Sequence, residues 1–261
     1  MKREIITSTS NNKIKNISKC IKNAKERRKQ DIFIVEGVRM FCEIPKEMHV
    51  ETFTTEEFFH KNMHLFEDIS YEIVSNHVLD SIADTKTPQG VVSVVKRFHY
   101  SLEDVVSGEN ALIMALENLQ DPGNLGTILR TAEGAGVTGI IMSKETVDVY
   151  NPKVVRSTMG SVFRIPFVYV EDLTEIVTTL QSRGYTSYSA HLQGKNFYDF
   201  DYKKPTIFCI GNEGNGLSDA LSQATNHKIK IPMCGKVESL NAATASTVLM
   251  YEAMRQRIQF L

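Results

Sequence analysis

The stretch ALIMALENLQDPGNLGTILR, residues 111–130, decides the fold class of the chain. It opens with an uninterrupted apolar run, Ala111 to Leu116, which predicts a strand buried on both faces. A turn rich in Asp, Pro, Gly and Asn follows, and a helix is predicted from Gly126 to Ala135. A buried strand that leads through a short loop into a helix is the repeating unit of a parallel α/β sheet.

The same alternation continues in both directions along the chain. Toward the C-terminus, strands are predicted near residues 139–142, 185–190, 206–211 and 228–231, and helices near residues 172–183 and 241–258. Asn151-Pro152 is expected to start a further helix, with Asn as the N-cap. Toward the N-terminus, strands are predicted near residues 32–35, 50–54, 71–74 and 90–95, and helices near residues 11–29, 37–44, 55–61 and 76–83. We expect a small α/β domain over residues 1–96, a connector over 97–109, and a larger α/β domain with a largely parallel sheet over 110–261.

Composition excludes several classes of protein. No apolar run approaches the roughly 18 residues that a membrane-spanning helix needs. The N-terminus, Met1 to Arg3, leads into polar residues and does not resemble a secretory signal. The four cysteines are widely spaced without a Cys-x-x-Cys pair, which argues against a zinc site or a disulfide framework and favours the cytoplasm.

Charge is distributed unevenly along a chain whose net charge is −1. Residues 1–30 carry ten Lys or Arg and two Glu, a local net charge of +8, so the rest of the chain carries −9. The candidate basic residues on the predicted helix are Lys22, Lys25, Arg27 and Arg28. Such a face fits contact with nucleic-acid phosphates, and it fits a solvated helix surface equally well.

Three loops directly follow apolar strands, at the edge of a parallel sheet where ligands bind. The first leads to Arg130, which could meet an anion or lie on the surface. The second, residues 211–218, has three glycines that would let its backbone approach a ligand, but it lacks the G-x-G-x-x-G and P-loop patterns. In the third, Ser239 and Asn241 could each be a helix N-cap.

Together the three loops resemble the signature motifs of the SpoU (TrmH) family, within the SPOUT superfamily of RNA methyltransferases. The motifs match as Asn124-x-Gly126-x-x-x-Arg130-x-Ala132, as Gly211-Asn-Glu213-Gly-x-Gly216-Leu, and as Ile231-Pro-Met233 followed by Ser239-Leu240-Asn241. The stretch of residues 151–161 is also similar to the family, and residues 33–39 and 87–91 resemble its substrate-binding domain. One departure is the Ala-Ala-Thr-Ala that follows Asn241, where larger β-branched residues are common in the family.

The resemblance implies a fold and a reaction. The fold is a parallel-sheet α/β SPOUT methyltransferase domain with a C-terminal trefoil knot, preceded by a small α/β RNA-binding domain. The reaction is transfer of a methyl group from S-adenosylmethionine to a ribose 2′-hydroxyl of structured RNA, with ribosomal RNA as the favoured substrate. A cytoplasmic homodimer with its active site near the subunit interface, and no metal, completes this expectation.

The resemblance also assigns roles to individual residues. The catalytic candidates are Arg130, Asn124, Glu213, Ser239 and Asn241. The cofactor-binding candidates are Gly211, Ile231, Leu240, Met233 and Leu192. The RNA-binding candidates are Arg156, Lys22, Lys25, Arg27, Arg28 and Arg39. Arg130 is expected to stabilise a developing oxyanion and not to act as a base, because a guanidinium keeps its proton up to a pKa above about 12. Glu213 is the expected partner of the Arg130 guanidinium.

Three alternatives remain open at this point. The same reaction on transfer RNA differs only in substrate. A non-catalytic RNA-binding protein that kept the fold would not need all of the polar motif residues. A Rossmann-type oxidoreductase is disfavoured because no G-x-G-x-x-G follows the strand Ala111 to Leu116.

Overall fold

The structure, a computed structural model, describes residues 4–258. The chain forms two compact units. Unit 1 comprises the residues up to Phe98 together with Asp148–Phe163, and unit 2 comprises His99–Val147 and the residues from Arg164 onward. The segment Asp148–Phe163 thus groups with the N-terminal residues by its contacts. The division into domains at residues 1–96 and 110–261 stays a prediction.

The helices and strands follow one another along the whole described chain. In order they are α1 (Asn12–Lys22), α2 (Ala24–Gln30), β1 (Ile32–Glu36), α3 (Val38–Cys42), β2 (His49–Thr55), α4 (Glu56–Lys61), β3 (Tyr71–Val74), α5 (Asn76–Ser81), β4 (Val91–Lys96), α6 (Leu102–Val105), β5 (Leu112–Leu116), α7 (Pro122–Gly134), β6 (Gly139–Ser143), α8 (Pro152–Thr158), β7 (Phe167–Val170), α9 (Leu173–Ser182), β8 (Thr186–Asn196), β9 (Thr206–Ile210), α10 (Asp219–Ala224), β10 (His227–Lys230) and α11 (Ala242–Arg257).

Unit 1 is built on a four-stranded sheet in the order β1-β4-β2-β3. Strand β4 is antiparallel to β1 and β2, whereas β2 and β3 are parallel. The prediction of one helix over residues 11–29 is wrong, because the chain turns out of the helix at Asn23 (φ −132°, ψ 112°). The Asn23 side chain accepts a hydrogen bond from the Lys25 amide and thereby starts α2.

Unit 2 is built on a six-stranded sheet in the order β10-β8-β9-β5-β6-β7, and every neighbouring pair is parallel. Strands β5, β6 and β9 are buried along their whole length. This matches the apolar runs in the sequence, because strands of a parallel sheet covered on both faces contact no water. The predicted parallel α/β sheet is confirmed; the trefoil knot stays a prediction.

Three elements of unit 2 were not predicted from the sequence: α6, β7 and α10. Helix α6 lies within the expected connector, residues 97–109, and its Val105 is fully buried. A Cβ atom on Gly139 would lie only 2.7 Å from the Val105 side chain, so α6 packs directly on β6. This part of the expected connector therefore belongs to the core.

Candidate active site

The carboxyl ends of β5 and β9 lie side by side in the unit 2 sheet, because these two parallel strands are hydrogen-bonded neighbours. Loop 1 (residues 117–121) leaves β5 and loop 2 (residues 211–218) leaves β9. Loop 3 (residues 231–241) leaves the edge strand β10. The three loops that carry the sequence motifs therefore start from one edge of one sheet.

Loop 2 is closed on itself by backbone contacts. The Asn212 and Gly216 amides each donate a hydrogen bond to the other residue's carbonyl oxygen, at 3.0 and 2.9 Å. Gly216 has a φ of +69°, a conformation that favours glycine. Gly211 packs so tightly that a Cβ atom there would lie 2.1 Å from the carbonyl carbon of Gly216 and from the Leu217 nitrogen. Glycine is thus required at both positions by the shape of the loop.

Glu213, at the tip of loop 2, binds loop 1 and the start of α7. One carboxylate oxygen accepts hydrogen bonds from the Asp121 amide (2.9 Å) and the Asn124 side-chain amide (3.0 Å), and the other accepts from the Gln120 amide (3.1 Å). Partial burial by itself favours the neutral acid, but the hydrogen bonds from Asn124, Asp121 and Gln120 outweigh it and lower the pKa of Glu213. The carboxylate is therefore ionised at neutral pH.

A second side-chain contact joins loop 3 to the same group. The Asn241 side-chain nitrogen donates to the Asn124 side-chain oxygen at 2.9 Å. The Asn241 oxygen is occupied as the N-cap of α11, where it accepts from the Ala243 and Thr244 amides. Because that oxygen must face backbone donors, both amides have only one workable orientation, and the Asn124 nitrogen must face Glu213. Glu213, Asn124 and Asn241 thus form a hydrogen-bond chain of fixed direction through all three loops.

Arg130 lies on α7, past the turn that carries Asn124, and its side chain is exposed. Within residues 4–258, no carboxylate or other side chain forms an ion pair or hydrogen bond with its guanidinium. The expected Arg130–Glu213 pair is wrong: in this structure the Glu213 carboxylate binds the amides of loop 1 and the Asn124 side chain instead. The Arg130 guanidinium is therefore accessible to solvent and not used by the described residues.

Loop 3 and strand β8 contain the remaining predicted site residues. Ser239 is exposed, whereas Ile231, Met233 and Leu240 are half-buried. Leu192 is 62% exposed and lies in β8 where that strand's pairing with β10 shifts, from Ser189 opposite Lys228 to Lys195 opposite Ile229.

These residues suit a nucleoside with a neutral base. The half-buried apolar side chains offer a surface for a purine ring, and Gly211 lies in the closed backbone of loop 2 at the same edge of the sheet. The apolar side chains of loop 3 and the backbone of loop 2 therefore fit S-adenosylmethionine. Among residues 4–258, no group of three His, Cys, Asp or Glu side chains is placed to hold a metal ion.

The structure adds site residues that the sequence reasoning missed. Glu117, directly after β5, accepts hydrogen bonds from the amide and hydroxyl of Ser218 at 2.7 and 2.6 Å. The Asn212 side chain donates to the Asn118 carbonyl oxygen at 2.8 Å. The signal available in the sequence was position alone. Glu117 is the first residue after the buried strand β5, and Asn212 is the second residue after the buried strand β9.

The predicted RNA-binding residues all lie in unit 1. Lys22, Lys25 and Arg28 are exposed. Arg39 is exposed with its Nε 3.8 Å from a Glu43 carboxylate oxygen. Arg156 on α8 is partly exposed, and its guanidinium donates to Asp84 at 2.7 Å.

Arg27 is the exception, and its assignment as an RNA contact is wrong. It is only 3% exposed. Its guanidinium donates to the Cys20 and Ile21 carbonyl oxygens near the end of α1 and pairs with Asp148 at 2.6 Å. The turn at Asn23 directs Arg27 back to the C-terminal carbonyls of α1, where a cation is favoured.

The parallel α/β sheet, with three loops joined by a chain of polar side chains beside an exposed arginine, is the arrangement expected for the methyltransferase motifs. The SpoU rRNA methylase family matches residues 111–251, and the MRM3-like substrate-binding domain matches residues 11–93. The chain belongs to the SpoU rRNA methylase family. The predicted family and the enzyme class, an RNA methyltransferase, are confirmed, and the oxidoreductase alternative is excluded.

Relatives and solved structures agree with this assignment. The 23S rRNA (guanosine(2553)-2′-O)-methyltransferase RlmP of Bacillus subtilis is 32% identical over 94% of this chain and 97% of its own length. The 23S rRNA (uridine(2479)-2′-O)-methyltransferase of Streptomyces viridochromogenes is 37% identical over 66% of this chain and 62% of its own length.

Two crystal structures with bound cofactor share the fold along nearly the whole chain. The AdoMet-bound rRNA methyltransferase from Sinorhizobium meliloti has a TM-score of 0.87 at 29% identity, over 98% of this chain and 99% of that one. The SpoU methyltransferase AviRb from Streptomyces viridochromogenes, in complex with AdoMet, has a TM-score of 0.86 at 29% identity, over 95% and 99%. In the present chain, no helix within residues 4–258 is long and apolar enough to cross a membrane.

Proposed function

We propose that this chain transfers a methyl group from S-adenosylmethionine to a ribose 2′-hydroxyl of structured RNA, with ribosomal RNA as the substrate. The observation that carries the proposal is the hydrogen-bond chain of Glu213, Asn124 and Asn241, which brings three motif loops together beside the exposed Arg130. Membership of the SpoU family and the ribosomal RNA targets named for its relatives support the substrate.

The cofactor site comprises Gly211, Ile231 and Leu240, with Met233 and Leu192 at its margin. S-adenosylmethionine supplies a methyl group that is already activated by its sulfonium, so the reaction needs no metal. The apolar side chains of loop 3 cover the base, and the closed backbone of loop 2 supplies polar groups close to the ligand.

The remaining task for the protein is to align and activate a weak nucleophile. A ribose hydroxyl holds its proton at neutral pH, so Arg130 stabilises the negative charge that develops on its oxygen. Asn124, Glu213 and Asn241 hold the start of α7 against loops 2 and 3 and so fix the position of that helix. Ser239, exposed in loop 3, supplies a hydroxyl to orient the ribose.

The exposed basic residues of unit 1 supply affinity for RNA phosphates: Lys22, Lys25, Arg28, Arg39 and Arg156. The partner is structured RNA, and the enzyme works in the cytoplasm as a homodimer. Light scattering at micromolar concentration tests the homodimer, which a monomeric mass contradicts.

The reaction is tested by mapping 2′-O-methylated nucleotides in RNA from cells with and without this protein. We expect one ribosomal RNA position to lose its methyl group and to regain it when the purified enzyme and S-adenosylmethionine are added. Loss of a transfer RNA methyl group instead would move the substrate to that class. No change in either RNA, together with no methyl incorporation by the purified protein, would make the chain a non-catalytic RNA-binding protein.

A further inference from the structure

Glu117 is a buried carboxylate that the proposed reaction does not use. It follows β5 directly and is 9% exposed, and its amide continues the β5–β9 pairing by donating to the Ile210 carbonyl oxygen at 2.9 Å. No Lys, Arg or His within residues 4–258 forms an ion pair with it. A buried charge without a counter-ion is costly, so its retention calls for compensating hydrogen bonds.

Those hydrogen bonds all come from one residue, Ser218. The Ser218 amide donates to one Glu117 oxygen at 2.7 Å and its hydroxyl donates to the other at 2.6 Å. The same hydroxyl accepts from the Leu221 amide at 3.2 Å as the N-cap of α10, which directs its proton to Glu117. Glu117 therefore fixes both the backbone and the side chain of the residue at which loop 2 ends.

This end of loop 2 supports the position of Gly211. The Cα of Gly211 packs on the backbone of Gly216 and Leu217, and the next peptide nitrogen is the Ser218 amide that Glu117 holds. Asn212 and Glu213 bind loop 1 from the start and the tip of loop 2. Glu117 holds the end of loop 2. Of Asn212, Glu213 and Glu117, Glu117 is the one that is buried.

We propose that Glu117 is a positioning residue for the cofactor: it holds loop 2, through Ser218, in the shape in which Gly211 receives S-adenosylmethionine. This inference rests on the proposed function, because it takes Gly211 as part of the cofactor site. Glu117 touches neither substrate nor reacting atoms, so its removal acts on cofactor affinity and leaves the rate at saturating cofactor in place.

The test compares variants of the full-length protein by calorimetric Kd for S-adenosylmethionine, by kcat at saturating cofactor, and by the unfolding midpoint without ligand. In Glu117→Ala we expect the Kd to rise by about tenfold or more, because two hydrogen bonds to a buried charged group are lost. Glu117→Gln keeps the shape and one acceptor oxygen, so we expect a rise of roughly threefold, and kcat should change by less than about twofold in both variants.

Two further variants separate positioning from general stability. Ser218→Ala removes only the hydroxyl contact, and its effect on the Kd should be much smaller in the Glu117→Ala background than alone, because the two residues act through one contact. Glu252→Gln is the matched control: Glu252 is also buried in unit 2 but pairs with Arg255 on α11, away from loop 2. Its cofactor Kd should equal that of the wild type.

Two results would overturn the inference. A wild-type Kd in both Glu117→Gln and Ser218→Ala, in a wild-type protein that binds S-adenosylmethionine, overturns the positioning role alone. A fall in cofactor affinity that Glu252→Gln reproduces at the same unfolding midpoint assigns the effect to stability and overturns it as well. Failure of the wild-type protein itself to bind S-adenosylmethionine instead overturns the proposed function, and the inference falls with it.

Discussion

The motif loops of unit 2 and the basic helices of unit 1 hold their polar side chains in opposite ways. In the loops, key side chains contact residues far away in sequence: Glu213 reaches Gln120 and Asn241 reaches Asn124, 93 and 117 positions apart. On α1 and α2, most basic side chains extend into solvent. We therefore expect substitutions of the contacting loop residues to have coupled effects. Substitutions of the exposed basic residues should have separate effects, each through loss of one charge.

Two arginines show the difference most directly. Arg130 lies in the region of fixed contacts, yet no other side chain among residues 4–258 pairs with it. Arg27 lies in the region of solvated charge, yet every contact it makes is internal. Burial and internal contacts thus mark Arg27 as a group that supports the fold, whereas Arg130 is exposed and remains the candidate for a ligand contact.

The largest expected effect belongs to Arg130. In Arg130→Ala, methyl transfer in a single turnover should fall by on the order of 10²-fold or more, as for loss of an oxyanion donor. The Kd for S-adenosylmethionine should stay unchanged, because the proposed cofactor site lies in loops 2 and 3. Arg130→Lys should fail nearly as badly, since lysine keeps the charge but loses the planar array of donors.

Arg183→Ala is the matched control, because Arg183 is an exposed arginine of unit 2 that pairs with Glu103. Its turnover should equal that of the wild type. Near-normal turnover in Arg130→Ala, or an equal loss of cofactor binding, would remove Arg130 from the catalytic role.

The second effect is on stability and compares neighbouring arginines. Arg27→Ala should lower the free energy of unfolding by roughly 3 kcal/mol, because it leaves Asp148 and two carbonyls of α1 without their partner. Arg28→Ala, at the next position and exposed, should change it by less than about 0.5 kcal/mol. Urea unfolding of both variants measures the difference, and equal stabilities would contradict the structural role of Arg27.

The third effect tests the direction of the hydrogen-bond chain. Glu213→Gln replaces one acceptor oxygen with an NH₂ group, which must face either Gln120 or Asn124, and both present donors. We expect turnover to fall by roughly tenfold. Glu103→Gln, an exposed carboxylate of the same unit, should have no effect on turnover.

The lowered pKa of Glu213 fixes how this contribution depends on pH. A carboxyl group whose pKa is lower in the folded protein stabilises it above the unfolded value and loses that contribution as the pH falls through the folded value. The hydrogen bonds that Glu213 accepts should therefore still be present at pH 4.5, the ordinary glutamate pKa, and should be lost only at lower pH. A Glu213 titration by NMR with a midpoint above 4.5 would contradict this.

The sequence predicted those features of the fold that are specified by residues adjacent in the chain. Apolar runs such as Ala111 to Leu116 specified the strands, and the order of the motifs specified the loops. Helix α10 and strand β7 were not predicted, although elements of the same lengths, such as α5 and β3, were. The break at Asn23 was not predicted because apolar residues at helical spacing, Ile14, Ile17, Ile21 and Ala24, continue across it.

The site was predicted by residue type but not by contact. Glu213 and Asn124 were recognised as polar motif residues, yet their hydrogen bond depends on how β5 and β9 are paired. The wrong partner for Glu213 came from matching charges, whereas in the fold its carboxylate binds the backbone amides of Gln120 and Asp121. Glu117 pairs with no cation among residues 4–258, so matching of charges could not have identified it. Its burial is what distinguishes it from an ordinary surface carboxylate.

The smallest effect concerns the basic face of unit 1. Lys22, Lys25 and Arg28 are exposed and should each contribute one phosphate contact. Each single replacement by Gln should lower the slope of log affinity against log salt by roughly 0.7–0.9 and leave the Kd for S-adenosylmethionine unchanged.

Lys61→Gln is the control, because Lys61 is an exposed lysine of the same unit that is already paired with Glu57 at 2.6 Å. RNA binding measured from low to moderate salt decides the matter. If the three variants keep the wild-type slope, or if Lys61→Gln lowers it equally, the basic helices are a solvated surface and RNA affinity must come from elsewhere in the chain.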